Sequence, residues 1–290
     1  FFTIQLIFLT LLIKNSQNIL INFAIGLILG LLLLQRSVAM LYIFPVVLYF
    51  IISFKKQFIK PTIFFIFGYL FILIFLGYHN YSRSGVFYIN STQSKDGFYM
   101  YMLPTLISKK NGITINEVDK ALSSEKDLWI KKNNLDLKKE KDRLDYYSHL
   151  QKKSLKFMID NPYLTFQHIS KKTMHFLVMD PLRHVHFFYK FEYKGLPETR
   201  YYKSLIQKKM IPARIIYSIL IYSICLFGFF HLLKNNKINH LTIILLSIIY
   251  FTLMCSWIGN TRYFAPCLIY ISLLFGNGLQ FLLDLKKIRF

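Results

Sequence analysis

Residues 29–45 read LGLLLLQRSVAMLYIFP: two apolar runs with one arginine, Arg36, between them. A run like the first, extended backwards through INFAIGLILG, is apolar around a whole helix apart from Asn22. Such a helix needs apolar surroundings on every side. An arginine in the short connection between two such helices belongs at a boundary, because at mid-helix it would cost about 2.5–3.5 kcal/mol.

Working outward, seven apolar segments appear, roughly 1–13, 19–34, 38–54, 61–78, 211–233, 240–257 and 263–283. Most approach the ~20 residues that cross a ~30 Å hydrocarbon core. Between the fourth and fifth lies a polar stretch, 79–210. The expected fold is therefore an all-α polytopic membrane protein, with about seven transmembrane helices and a mostly helical extracytoplasmic domain between the fourth and fifth. It divides into residues 1–78, 79–210 and 211–290. The chain opens at FFTIQLIFLTLL, without an initiator Met or a charged leading segment. This reads as the interior of a longer protein, with the first span truncated.

Of the 290 residues, 36 are Lys or Arg and 14 are Asp or Glu, a net charge of +22. In a soluble chain that excess would suggest nucleic acid; with 54% hydrophobic residues and charge segregated from them, it does not. If every segment crosses, Lys14, Lys55, Lys56, Lys60, Lys234, Lys237, Lys286, Lys287 and Arg289 share one side. The opposite short turns hold only Arg36 and Arg262. The positive-inside rule makes the first set cytoplasmic and residues 79–210 extracytoplasmic. The expected location is the bacterial inner (plasma) membrane.

Within the polar stretch, TINE at 114–117 forms a capping box, with Ile113 and Val118 spaced as a hydrophobic staple. Residues 142–160 read as a charged helix ending at Asn161-Pro162, which starts another. Along that second helix Tyr163, Phe166, Ile169, Thr173, Phe176 and Leu177 recur on one side, with His168, Lys171 and Lys172 on the other. Such a helix suits either a membrane surface or the domain's own core. The tract 131–156 reads as a solvated basic face.

The chemistry-bearing residues are few. Cys225, Cys255 and Cys267 lie in apolar runs and read as small buried residues. His184 and His186 lack a third ligand, so no metal or cofactor is expected. Gly26 and Gly30 form GxxxG, a close-packing device. Apart from Asp284 no apolar segment carries a carboxylate, which disfavours proton-coupled transport. Asp96 and Asp180 are carboxylates of the loop, each read as a capping or surface residue. Arg36 and Arg262 remain, each offering a rigid, permanently charged donor fork matched to phosphate.

Four stretches resemble the GT-C membrane glycosyltransferases, in the branch of bacterial relatives of protein O-mannosyltransferases and the lipid A aminoarabinose transferase (glycosyltransferase family 39-like). They are GLILGLLLLQRSVAMLYIFPVVLYF, YSRSGVFYINSTQSKDGFYMYMLP at 81–104, DNPYLTFQHISKKTMHFL at 160–177 and NTRYFAPCLIYISLLFG at 260–276. The resemblance implies sugar transfer from a polyprenyl-phosphate donor to a glycan, lipid or protein acceptor at the outer membrane face. It implies that Arg36, Arg262, Tyr263 and, more loosely, Arg83 line the donor-phosphate pocket. The family's catalytic carboxylate lies in an early extracytoplasmic loop, and nothing here matches it, so this chain by itself is expected to be inactive. Two other readings stand beside it: an O-antigen ligase or polymerase, and a non-catalytic accessory or scaffold protein.

Overall fold

The computed structural model describes residues 2–14, 18–35, 37–89, 98–179, 211–258 and 265–288. Among the described residues there is no strand. All seven apolar segments are helical over their described residues. Four helices are long and apolar enough to cross a membrane by length and composition, Val38–Gln57, Ile59–Ser84, Ile215–Lys234 and Pro266–Leu285; Thr3–Ile13, Ile19–Gln35 and Ile238–Met254 are shorter apolar helices. This composition is compatible with a membrane protein. The chain divides into two compact units, one of residues 1–169 with 257–260, the other of residues 170–256 with 261–290.

In the first unit, α1 (Phe2–Ile13), α2 (Ile19–Gln35), α3 (Ile43–Phe54) and α4 (Ile59–Ser84) alternate in direction. The side-chain register shows it. Gly26 of α2 faces the Phe65 carbonyl and Tyr69 amide of α4; Gly30, one turn on, faces Ile72. Gly68 of α4 in turn faces the Phe23 carbonyl and Leu27 amide of α2. Residue numbers rise together, so α2 and α4 run parallel. No side chain separates them at this crossing, because a Cβ at Gly26 or Gly68 would fall inside the partner's backbone. The GxxxG spacing thus does what it does in apolar surroundings generally, letting dispersion act at backbone distance. Helix α3 fills the return. Its Phe50 meets Phe65 of α4 edge to face at 5.5 Å, and its Tyr49 hydroxyl donates to the Leu12 carbonyl of α1 at 3.3 Å.

Beyond α4 the chain turns at Gly85, whose φ of 70° is the left-handed cap a glycine accepts without strain. Phe87 then lies back over Gly77, and Asn80 donates to the Tyr88 carbonyl at 2.6 Å.

A π-helical turn (Phe98–Met102) leads into α5 (Leu103–Asn111), α6 (Ile115–Lys132), α7 (Glu140–Asp160) and α8 (Pro162–Met179). The TINE capping box forms: the Thr114 hydroxyl accepts from the Glu117 amide, and the Glu117 carboxylate accepts from the Thr114 amide at 2.8 Å. The staple differs. Val118 enters the domain core beside Tyr99, Leu103, Leu122, Tyr146 and Leu150, whereas Ile113 stays exposed. A neighbouring core of Met102, Leu106 and Met158 takes Leu164 and Ile169 from α8. That packing sets the face of α8: Thr165 and His168 are buried with them, so His168 is not on the outward side beside the lysines.

The second unit holds the end of α8, α9 (Ile211–Lys234), α10 (Ile238–Ile258) and α11 (Ala265–Ile288). Its central contact repeats the glycine device. Gly228 faces the Leu274 carbonyl and Gly278 amide, and Gly278 faces the Ile224 carbonyl. The Cys225 thiol reaches the Ile271 carbonyl at 3.6 Å, and His231 meets Phe281 edge-on, so α9 and α11 are also parallel. Helix α10 packs against α11 through Phe251 and Tyr270, stacked at 5.9 Å. Cys225 and Cys267 are buried free thiols, as small apolar residues should be; the side chain of Cys255 lies outside the described residues.

Candidate functional site

Arg83 is the sequence-derived site residue whose position is described. It sits in the last turn of α4, exposed, where the unpaired carbonyls of the helix end favour a cation. Among the described residues its guanidinium has no hydrogen-bond or ion-pair partner. Tyr78 and Tyr81, both exposed, lie within two turns of it. At the other end of the same helix stands Lys60; twenty-three residues of helix put about 35 Å between the two charges.

The parallel register of α2 and α4 fixes one more point. Gly26 is level with Phe65–Tyr69 and Gly30 with Ile72, so Gln35, the last residue of α2, comes level with the turn of α4 near Gly77. Arg83 lies some six residues further along, about 9 Å in rise. The chain entering Arg36 and the turn carrying Arg83 are therefore at the same end of the first unit. Arg36, Arg262 and Tyr263 themselves lie outside the described residues, as do Asp96, Asp180, His184 and His186.

One cluster was missed in the sequence. On the surface of the α5–α7 domain, the His149 imidazole stacks on the Trp129 indole at 4.1 Å and an interplanar angle of 12°. Beside them Lys153 pairs with Glu125, and Tyr99 donates to the Leu122 carbonyl at 3.1 Å. The only available signal was helical spacing within α6 and α7, since Glu125–Trp129 and His149–Lys153 are each one turn apart. Burial, with Glu125's charge second, pushes the Tyr99 phenol up to about 12. These side chains line a shallow cleft with room for about one water. It is a packed polar junction, too small for a sugar.

Burial, and after it the charge of Lys153, holds the His149 imidazole below its usual titration range, against the opposing pull of Glu125. The folded state thus favours the neutral ring. Its contribution to stability is present above the ordinary histidine pKa of about 6.5 and is lost as pH falls through the folded value. In a Trp257→Phe chain, Trp129 emission is expected to drop on acidification as the stacked ring becomes charged, with a midpoint below pH ~6.5. A midpoint at or above that value would contradict the assigned environment.

No protein-family model, curated protein or solved structure matches the chain.

Proposed function

We propose that the chain is the membrane part of a glycosyltransferase that takes sugar from a polyprenyl-phosphate donor at the extracytoplasmic face. In this reading all seven apolar helices span the bilayer, the lysine-rich turns are cytoplasmic, and the α5–α8 domain lies outside. Arg36, Arg262, Tyr263 and Arg83 hold the donor phosphate.

The observation that supports this best is the exposed Arg83 guanidinium, without a partner among the described residues, at the far end of α4 from Lys60. About 35 Å of helix with no Lys, Arg, Asp or Glu between them exceeds a ~30 Å hydrocarbon core by a few ångströms, which carries each charge into a headgroup layer. There the guanidinium fork meets phosphate oxygens, and the exposed Tyr78 and Tyr81 suit the interfacial aromatic belt. The chemistry these residues supply is charge stabilisation on the leaving lipid phosphate. An acceptor hydroxyl would attack the anomeric carbon as the carbon–oxygen bond to phosphate breaks. The carboxylate that would accept the hydroxyl proton has no match in this chain.

The test is retention of polyprenyl phosphate by protein in neutral-lipid nanodiscs, read by native mass spectrometry. Removing a charge-assisted hydrogen bond is worth about 1.5–3 kcal/mol, so Arg83→Ala should weaken retention at least tenfold or so, with Arg83→Lys between the two. Equal retention by wild type and Arg83→Ala, or equal displacement by phosphatidylglycerol, would remove Arg83 from the site. The absence of a carboxylate from the described spans, Asp284 apart, favours a second reading, a non-catalytic glycan-lipid carrier. It shares the binding result but shows no transfer in membranes given labelled donor.

A further inference from the structure

The lysines of the α1–α4 bundle stand at one end of it. Phe50 of α3 meets Phe65 of α4 across two antiparallel helices, and counting outward from that contact sets Lys55 opposite Lys60. The corner between them is tight. Lys55–Gln57 is a single 3₁₀ turn, and the Phe58 amide donates to the Lys55 carbonyl at 3.3 Å. Lys55, Lys56 and Lys60 therefore leave one short corner, and all three are exposed. The bond from Tyr49 to the Leu12 carbonyl brings the last turn of α1 to the same end, with exposed Lys14 two residues beyond it.

These cations have no counter-ion in their own helices, because no aspartate or glutamate precedes Asp96. Among the described residues the ion pairs are Arg143 with Glu140 and Lys153 with Glu125, both in the domain that follows the opposite end of α4. Lys55 also carries a backbone cost. Its φ of 49° and ψ of −123° lie where glycine sits at the first central position of a type II′ turn. A side chain strains that conformation. Glycine would turn the corner freely; lysine brings an ammonium group to it instead.

We infer that the Lys55–Lys60 corner, with Lys14, binds the phosphate of an anionic phospholipid of the phosphatidylglycerol type. Four or more basic residues gathered at the end of membrane helices attract anionic headgroups, each adding to the pull. Beside Lys60 the exposed Ile59, Ile63 and Phe67 lead along α4 at one-turn spacing, within an arc of about 80°. One lipid thus meets charge at the corner and apolar surface next to it, which a free phosphate ion cannot use. The inference rests on α1–α4 spanning a bilayer. It involves neither Arg83 nor sugar transfer, so it and the reading above fail separately.

The test counts lipids retained by the full chain in native mass spectrometry, after equilibration in detergent with phosphatidylglycerol or phosphatidylcholine. Wild type should retain phosphatidylglycerol preferentially. Lys55→Gly should lower that retention about fivefold, and adding Lys56→Gln and Lys60→Gln about fivefold for each further charge, with phosphatidylcholine unchanged. In detergent without added lipid, Lys55→Gly should raise the thermal midpoint, because the turn relaxes as the charge is lost. Equal phosphatidylglycerol retention by wild type and the triple variant would overturn the site, as would a parallel loss of both lipids. Full displacement by millimolar inorganic phosphate would overturn the lipid as its occupant. A lowered midpoint for Lys55→Gly would overturn the argument that the ammonium group is held there at a backbone cost.

Discussion

Gly228→Leu is expected to drive α9 from α11 and lower the thermal midpoint in detergent by roughly 6–12 °C. The reason lies in what Gly228 faces: a Cβ there would overlap the Leu274 carbonyl, a backbone atom that no rotamer change can move aside. Overpacking typically costs about 1–3 kcal/mol, and a rigid neighbour places this site at the upper end. For a protein of this size each kcal/mol shifts the midpoint by about 2–4 °C. Gly276 supplies the internal control. It is two residues from Gly278 on the same helix, yet a Cβ there meets nothing within 4 Å. Gly276→Leu should stay within about 0.5 kcal/mol of wild type, as surface changes do. Equal damage from the two substitutions, read by fluorescence-detected size exclusion after heating, would mean that glycine matters for helix flexibility and not for close approach.

The second large effect concerns the α5–α8 domain. Leu106 is fully buried between Met102 and Met158, at the seam where α5, α7 and α8 meet. Leu106→Ala deletes three carbons from a site held by three helices, which limits collapse around the void. The expected cost is about 2–5 kcal/mol. Hydrogen exchange should show it as faster opening of α5, α7 and the start of α8, with α2 and α4 unchanged. Leu128→Ala, on the exposed side of α6, should leave exchange as it is. A uniform acceleration across α1–α4 as well would show that the two parts unfold together.

These contrasts mark what could be read from the chain. The apolar helices were legible because a run such as ILINFAIGLILGLLLL has no polar side to misplace. The Thr114 cap was legible because a capping box is local, closing within four residues. GxxxG gave the correct device at Gly26 and Gly30 but not its partner; Gly68 carries no matching motif, and pairing is a tertiary fact. Helix α8 misled because both its faces hold large apolar residues. Periodicity grouped Ile169 with Tyr163 and Phe166, whereas the distant Met102–Leu106–Met158 core claims Ile169 and buries His168 with it. Of the phosphate-binding candidates, Arg83 could be followed to an exposed helix end. The stacking of His149 on Trp129 joins two helices whose register no local pattern specifies.

The reciprocal fit of Gly26 and Gly68 also bears on how the protein is made. Forty-two residues separate them in the chain, with α3 between. At synthesis rates of about 5–20 residues per second, α2 waits roughly 2–8 s for its partner. During that interval its glycine face is open to any other small-residue helix nearby. Helix α3 must be laid down in the opposite direction before α2 and α4 can meet in parallel. The α2–α4 pair is thus made by docking of helices already placed, after α3 has been laid down between them, and the order of synthesis becomes part of its folding code.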